Sequence, residues 1–387
     1  MTKQLKITLI VGLVAFLASY VVEAQKSEYF PERSNWERKS PTQVKLNSAK
    51  LSEAIKYAQD NEYSGDKDLK IAILKGFARE PYHYIAGPVR DRGDAAGLVI
   101  KDGYIVAEWG DINRVDMTFS VTKSYLSTVA GLAYDRGLIK KTTDPLDNYV
   151  WDGIFSGKHN AKINWNHLLT QSSDWSGDLF GMKDWADRPP REGDIVDWKA
   201  RELKEPGTFF EYNDVRVNVL AYSLLQVWRK PLPMVLKENL MDKIGASSTW
   251  RWFGYDHAWI NVDGQKVQSV TGGGHSGGGI FINTLDHARF GLLFLNEGKW
   301  NGEQIISNQW IEKAVESSPA NERYGYMWWL NRGANQWEGF SDQVYYAAGF
   351  GGNFIVIDRE HNLVVVTRWL EPSKIKEFME LVGQSIK

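Results

Sequence analysis

The sequence predicts an α/β fold of the α+β kind: one antiparallel sheet built from both ends of the chain, flanked by helices, with a helical subdomain inserted between the two halves. Three observations predict it. Residues 97–109 form two β-rich runs joined by Asp102-Gly103, the strongest short hairpin signal. A second pair of runs, over 353–358 and 363–369, flanks Arg-Glu-His-Asn near the C-terminus. Between these pairs, residues 121–137, 215–229, 233–244, 285–297 and 308–316 carry apolar side chains at helical spacing.

The elements follow in chain order. Lys3 and Lys6 precede an apolar run over 7–22, and Val22-Glu23-Ala24 closes it with a small residue, so 1–24 reads as a secretory signal. The run falls short of the ~20 residues a membrane span needs, although an uncleaved leader would tether the chain to a membrane. Residues 25–89 form a charged N-terminal extension with one helical pattern, in which Leu51, Ile55 and Ala58 share a face. Residues 90–387 form the main domain, with its sheet part at about 90–118 and 265–387 and its helical part at about 119–264. Asp214 and Thr284 are expected to cap helix starts, Gly137, Gly245 and Gly298 to follow helix ends, and 372–385 to close the chain as a helix. The leader makes a periplasmic or secreted location the expectation.

Composition narrows the chemistry. The chain has 387 residues, 46 basic against 48 acidic, and no block of Lys or Arg, so a nucleic-acid partner is not expected. It has no cysteine, which excludes thiol nucleophiles, disulfides and thiolate metal sites. The seven histidines are scattered without a His-Glu-x-x-His pair, so neither a metal nor a cofactor is expected. What remains is oxygen and nitrogen chemistry on a small molecule. The 17 tryptophans, 17 tyrosines and 16 phenylalanines supply ample rings for a core and for a substrate wall.

Three Ser-x-x-Lys matches occur, and context separates them. Ser64 sits in a polar loop and Ser373 on an amphipathic end helix, whereas Ser120 opens the apolar helix that carries Lys123. Positions three apart share a helix face, so the Lys123 amine lies beside the Ser120 hydroxyl. A buried amine gives up its proton more readily and can then accept the serine proton, while the helix start favours negative charge. The plain alternative is a serine cap beside a lysine whose amine reaches solvent.

Further residues decide against that alternative. Pro206-Gly-Thr-Phe-Phe-Glu-Tyr212 is a turn leading into a tyrosine just before a helix, and Ala347-Ala348-Gly349-Phe350-Gly-Gly352 is a glycine-rich turn between strand-like runs. With 167–173, 244–246 and 286–295, these elements resemble, in order and over roughly 90–370, the class C β-lactamase and penicillin-binding serine hydrolase family, including its esterases and 6-aminohexanoate-dimer hydrolases. The resemblance implies a β-lactamase/transpeptidase-like fold, with Ser120 as acylating nucleophile, Lys123 as its proton partner and Tyr212 as general base beside cationic charge. It further implies an oxyanion hole from the backbone N–H groups of Ser120 and Phe350, and an ester, amide or β-lactam substrate.

Two departures shape the expectation. The family's tyrosine motif has asparagine two places on, where this chain has Asp214, a residue open to either a capping or a catalytic role. The family's third motif begins with a cation that helps to recognise a substrate carboxylate, and here Ala347 stands there. A neutral ester or amide is therefore favoured over penicillins and cephalosporins. β-Lactamase or D-Ala-D-Ala carboxypeptidase action is the second reading, and an inert binder of cell-wall peptide or antibiotic the third. Gly274-His-Ser276-Gly-Gly278 matches a nucleophile elbow, but the glycines and Ile280-Phe-Ile after Ser276 oppose the helix that motif requires. His275 either reaches into the site or serves the structure. Trp175, Tyr346, Ala348 and Gly349 join Asp214 and His275 as substrate-contact candidates.

Overall fold

In this computed structural model the described residues are 29–386, apart from Tyr82, Ala334 and Asn335, so the expected leader over 1–24 lies outside them. Among the described residues no helix is long and apolar enough to cross a membrane. The sheet drawn from both chain ends is six-stranded and antiparallel, in the order Trp329–Leu330, Tyr345–Gly349, Asn353–Asp358, Leu363–Arg368, Ala96–Lys101, Tyr104–Trp109. Ala96 pairs with Arg368 and Lys101 with Leu363, so the two ends meet near its middle. The hairpin turn forms as its sequence requires: Asp102 and Gly103 both take positive φ, 54° and 85°.

Leu363–Arg368 is buried along its whole length, which explains its unbroken β-branched run. The helix Thr284–Leu295 covers one face of the sheet, and Gly291 lets it come close, since a Cβ there would stand 2.6 Å from Val364 Cγ1. The helices Ser48–Asp60 and Ile375–Gln384 cover the other face, over Val99, Val106, Val356 and Val365. Both apolar faces are thereby removed from water, the main driving force for this packing.

A second, four-stranded sheet runs Asp116–Met117, Gly279–Ile282, Arg251–Val262, Gln265–Val270, and here the sequence reading is corrected. The stretch 119–264 was expected to be helical, yet Arg251–Val262 is a long strand that turns through Asp263-Gly264. Its register slips between Gly254 and Trp259, which breaks the two-residue alternation that betrays a strand. Buried Arg368 ties the two sheets together, its Nη1 donating to Ile282 O at 2.9 Å and its Nη2 to Met117 O at 3.1 Å.

The expected helices form as Thr122–Asp135, Asp214–Trp228, Leu232–Leu236, Thr284–Leu295 and Asn308–Ala314. The third is cut short by a wider π turn over Lys237–Met241. Two caps lie one residue earlier than expected. Asn213 Oδ1 accepts from Arg216 N and Asn283 Oδ1 from Asp286 N, the reach a capping side chain has over the first turn. The carboxylate of Asp214 is thus free for other work. A helix over Leu69–Gly76, capped by Asp68, was not expected at all.

Candidate active site

Ser120 lies in a tight turn, Phe119–Val121, at the head of the helix Thr122–Asp135. Phe119 takes a left-handed φ of 49°, an uncommon conformation held by the packing of its ring on Phe350 at 4.9 Å and Trp369 at 6.4 Å. Both flanks of the serine are pinned to Ile280: Thr118 N donates to its carbonyl and Thr122 Oγ1 accepts from its N–H. Beneath, His287 joins Thr118 Oγ1 at 2.7 Å and Tyr125 Oη at 3.0 Å. The hydroxyl is therefore presented from a rigid platform.

One helical turn on, Lys123 Nζ stands 2.9 Å from Ser120 Oγ and 2.5 Å from Asp214 Oδ1. Lys123 is 1 % exposed, as the apolar helix predicts, yet its charge is paired. Burial by itself would raise the Asp214 carboxyl, but Lys123, Arg188 and His275 outweigh burial and hold it well below the usual carboxylate range. A buried ion pair results, in which Lys123 Nζ bridges Asp214 Oδ1 and Ser120 Oγ. This pairing sets Lys123 Nζ beside Ser120 Oγ, the contact that the one-turn spacing predicts. Tyr212 lies against Lys123, whose Nζ is 4.7 Å from the ring centroid, and Trp329 stacks on it at 5.8 Å and 22°.

The end of Tyr345–Gly349 adjoins the serine backbone. A Cβ on Gly349 would lie 3.3 Å from the N atoms of Ser120 and Val121 and would press on Thr118 O, so glycine is needed for this approach. Phe350 follows Gly349 directly, and its ring packs on Phe119, Phe77 and Tyr63. Along this strand Tyr345 and Ala347 face the serine helix, and Tyr346 and Ala348 face the opposite core. Tyr346 stacks on Trp337 at 4.8 Å. Trp175 is also packed away, its indole N–H donating to Ile154 O. Neither ring is placed with Ser120, because strand alternation and core burial assign their faces elsewhere.

His275 is brought in. Its Nε2 is 2.5 Å from Glu80 Oε2, its Nδ1 is 3.6 Å from Asp214 Oδ2, and its ring lies on Phe77 at 3.7 Å. Ser276 is not: it is buried, its carbonyl accepts from Ala86 N and Gly87 N, and a strand follows over Gly279–Ile282, so the elbow geometry is absent.

Four residues were missed. Asp187 Oδ2 accepts the N–H of Asp214, Arg188 Nη2 meets Asp214 Oδ2 at 2.7 Å, and Glu80 arrives from the N-terminal extension. None of these carries a local pattern. The fourth, Gly273, sits where any side chain would overlap Asp214 Oδ1 and Lys123 Nζ. Its place in the glycine cluster was the available signal. Gly273→Ala is expected to cost about 1–3 kcal/mol in chemical unfolding and to lower kcat more than KM, because overpacking there displaces the ion pair. Unchanged kcat would contradict this.

Glu80, Asp187 and His275 converge within 4.8 Å, beside a cavity of about 20 Å³ that holds no more than one water. Their composition suits a cation, but Asp187 is spent on Arg188 at 2.6 Å and Glu80 on His275. The Asp187–Arg188 ion pair and the Glu80–His275 hydrogen bond account for the cluster.

Comparison with known proteins places this arrangement. The Beta-lactamase family model matches residues 90–368. The chain belongs to that family. An uncharacterized protein of Alkalihalophilus pseudofirmus is 25 % identical over 324 residues, covering 71 % of this chain and 83 % of that one. A candidate D-alanyl-D-alanine carboxypeptidase of Escherichia coli K12 is 24 % identical over 195 residues, 42 % of this chain and 45 % of that one. Among solved structures, the hydrolase EstCE1, described as having promiscuous acyltransferase activity, superposes with TM-score 0.58 at 14 % identity over 87 % of this chain and 98 % of that one. A family VIII carboxylesterase superposes with TM-score 0.53 at 16 % identity over 75 % and 91 %. At such identities the likeness is one of fold, and this beta-lactamase family member carries the family's serine hydrolase fold.

Two buried or half-buried histidines, His167 and His287, have a pH consequence. Burial draws the His167 imidazole down to about 4, and burial with the charge of Arg368 holds His287 well below its ordinary value. Both are neutral in the folded state where the unfolded chain, with values near ~6.5, takes up protons. Stability is therefore lost as pH falls from about 6.5 toward 4, by up to about 1.4 kcal/mol per pH unit for each histidine. Asp286, raised mainly by burial, opposes this with a smaller shift. The melting temperature should drop between pH 7 and pH 5; a flat profile would refute the assignment.

Proposed function

We propose that this protein is an exported serine hydrolase that cleaves a neutral carboxylic ester or amide through an acyl intermediate on Ser120. The observation that carries this reading is the 2.9 Å approach of Lys123 Nζ to Ser120 Oγ beside the Tyr212 ring. Tyr212 takes the Ser120 proton as Oγ attacks the carbonyl carbon. The N–H groups of Ser120 and Phe350 receive the developing oxyanion, such donors being worth about 3–4 kcal/mol each. Tyr212 returns the proton to the departing alcohol or amine, and water then hydrolyses the acyl-serine by the same route in reverse. Lys123, paired with Asp214, stays beside the serine oxygen throughout.

The preference for a neutral substrate rests on Ala347, which is buried and offers no cation, and on Arg188, whose two arms are committed to Asp187 and Asp214. Export rests on the leader pattern over 1–24. The second reading, a D-Ala-D-Ala carboxypeptidase, is favoured by the Escherichia coli relative. The test compares p-nitrophenyl butyrate, nitrocefin, a 6-aminohexanoate dimer and an acyl-D-Ala-D-Ala peptide on the mature protein. Ester or amide turnover at least about 100-fold above nitrocefin is expected, a difference of about 2.7 kcal/mol in transition-state binding. Nitrocefin turned over as fast as the ester would refute the inference from Ala347. Release of D-alanine as the fastest reaction would establish the second reading.

A further inference from the structure

Arg188 belongs to no motif, yet it occupies a singular place. It lies on the loop after the turn Asp184–Ala186, with a left-handed φ of 48°. Its own N–H donates to Glu80 Oε1 at 3.2 Å, and Arg79 Nη2 fastens the same loop through Pro190 O at 2.8 Å. Backbone strain maintained by such ties marks a residue whose placement is enforced by its surroundings. The guanidinium lies 5.2 Å from the Tyr212 ring centroid and 5.6 Å from that of Phe77, with its Nη1 on Asp187 and its Nη2 on Asp214. Its side chain is 30 % exposed, whereas those of Asp187 and Asp214 are 3 % exposed. Burial would weaken its charge, but Asp187, Asp214 and Tyr212 more than reverse that and raise its pKa above the ordinary value.

Two roles are open to a cation at the edge of this site. It binds a substrate carboxylate, or it acts through its neighbours. The first requires a free bidentate edge, and both Nη atoms are already held, by Asp187 and by Asp214 Oδ2, buried oxygens that would lose this partner if a substrate displaced them. The second fits. Around Tyr212 stand Lys123 from the serine helix, Arg188 from this loop, Asp214 from the following helix, and Tyr324, while Trp329 covers a ring face. Lys123 is shared between Ser120 and Asp214, which leaves Arg188 as the second cation on the ring.

We propose that Arg188 is a positioning residue for acylation: it holds Asp214 toward Lys123 and sets a positive charge against the ring of Tyr212, the residue that receives the Ser120 proton. This rests on the Ser120 reading above. It also assigns Glu80, Asp187 and His275 the part of orienting Arg188 and Asp214.

The test uses Arg188→Met, which keeps bulk and removes charge, Arg188→Lys, which keeps charge without the fork, and Arg188→Gly supplied with methylguanidinium. With p-nitrophenyl butyrate, Arg188→Met is expected to lower kcat at least 100-fold with KM within threefold. Arg188→Lys should regain at least tenfold of that loss, and methylguanidinium should raise kcat of Arg188→Gly in a saturable manner. Equal kcat for the Met and Lys variants together with no response to methylguanidinium would overturn the proposal, as would a loss that appears in KM alone. Ser120→Ala run alongside separates the two readings. If it retains turnover, the nucleophile assignment fails; if it is inactive while Arg188→Met matches the parent, only the role of Arg188 fails.

Discussion

Ser120→Ala abolishes labelling by a fluorophosphonate and lowers kcat/KM for p-nitrophenyl butyrate by about 10⁴-fold or more, the scale on which loss of an acylating serine is felt. The expectation follows from the platform under it. Thr118 and Thr122 fix the turn to Ile280, so the substitution removes one oxygen and leaves the surrounding geometry in place. Thermal stability should stay within about 0.5–1 kcal/mol of the parent, because Ser120 is half-buried and, among the described residues, its Oγ is bonded by Lys123 alone. Ser276→Ala, made in parallel, should keep both labelling and turnover. If instead Ser276→Ala is the inactive variant, the glycine cluster holds the nucleophile and the site described here is misassigned.

Asp214→Ala carries the largest expected cost in stability. It strands the ammonium of Lys123 in a position 1 % exposed and strips Arg188 of one of its two carboxylates. Breaking a buried pair by removing one partner costs about 3–5 kcal/mol, since the remaining charge keeps its desolvation penalty without its attraction. Activity should fall with it, by about 10²–10⁴-fold, as Lys123 turns away from Ser120. Asp214→Asn preserves shape and one acceptor, and should lie between parent and alanine on both measures. Urea unfolding and ester turnover check the pair of results. A variant Asp214→Ala within about 1 kcal/mol of the parent would mean that the ion pair does not exist in solution.

How much of this was legible in the sequence depends on how local each signal is. Ser120 and Lys123 sit on one turn of one helix, so spacing and apolar context suffice to bring them together. The hairpin through Asp102-Gly103 is equally local. Asp214 was visible as a residue, but its role was not, because the choice between Asn213 and Asp214 as cap is settled only by which side chain turns back over the first turn. Glu80, Asp187 and Arg188 reach the site from an extension and a loop, and no periodicity forecasts where a loop will deliver a charge. Arg251–Val262 escaped because a slip in register hides the alternation that identifies a strand. Tyr346 and Trp175 show the converse error: nearness along the chain to a motif says nothing about which face a ring will take.

The six-stranded sheet has a practical corollary for anyone trimming this protein. The family match spans 90–368, yet the helices that shield one face, Ser48–Asp60 and Ile375–Gln384, fall outside it on either side, as do Glu80 and Phe77. A fragment cut to the matched span would bare Val99, Val106, Val356 and Val365 as a continuous sticky surface and would lose the anchor of the Arg188 loop. Such a fragment should precipitate on expression rather than yield a smaller enzyme, so the two flanks act as a fitted jacket around the domain they enclose.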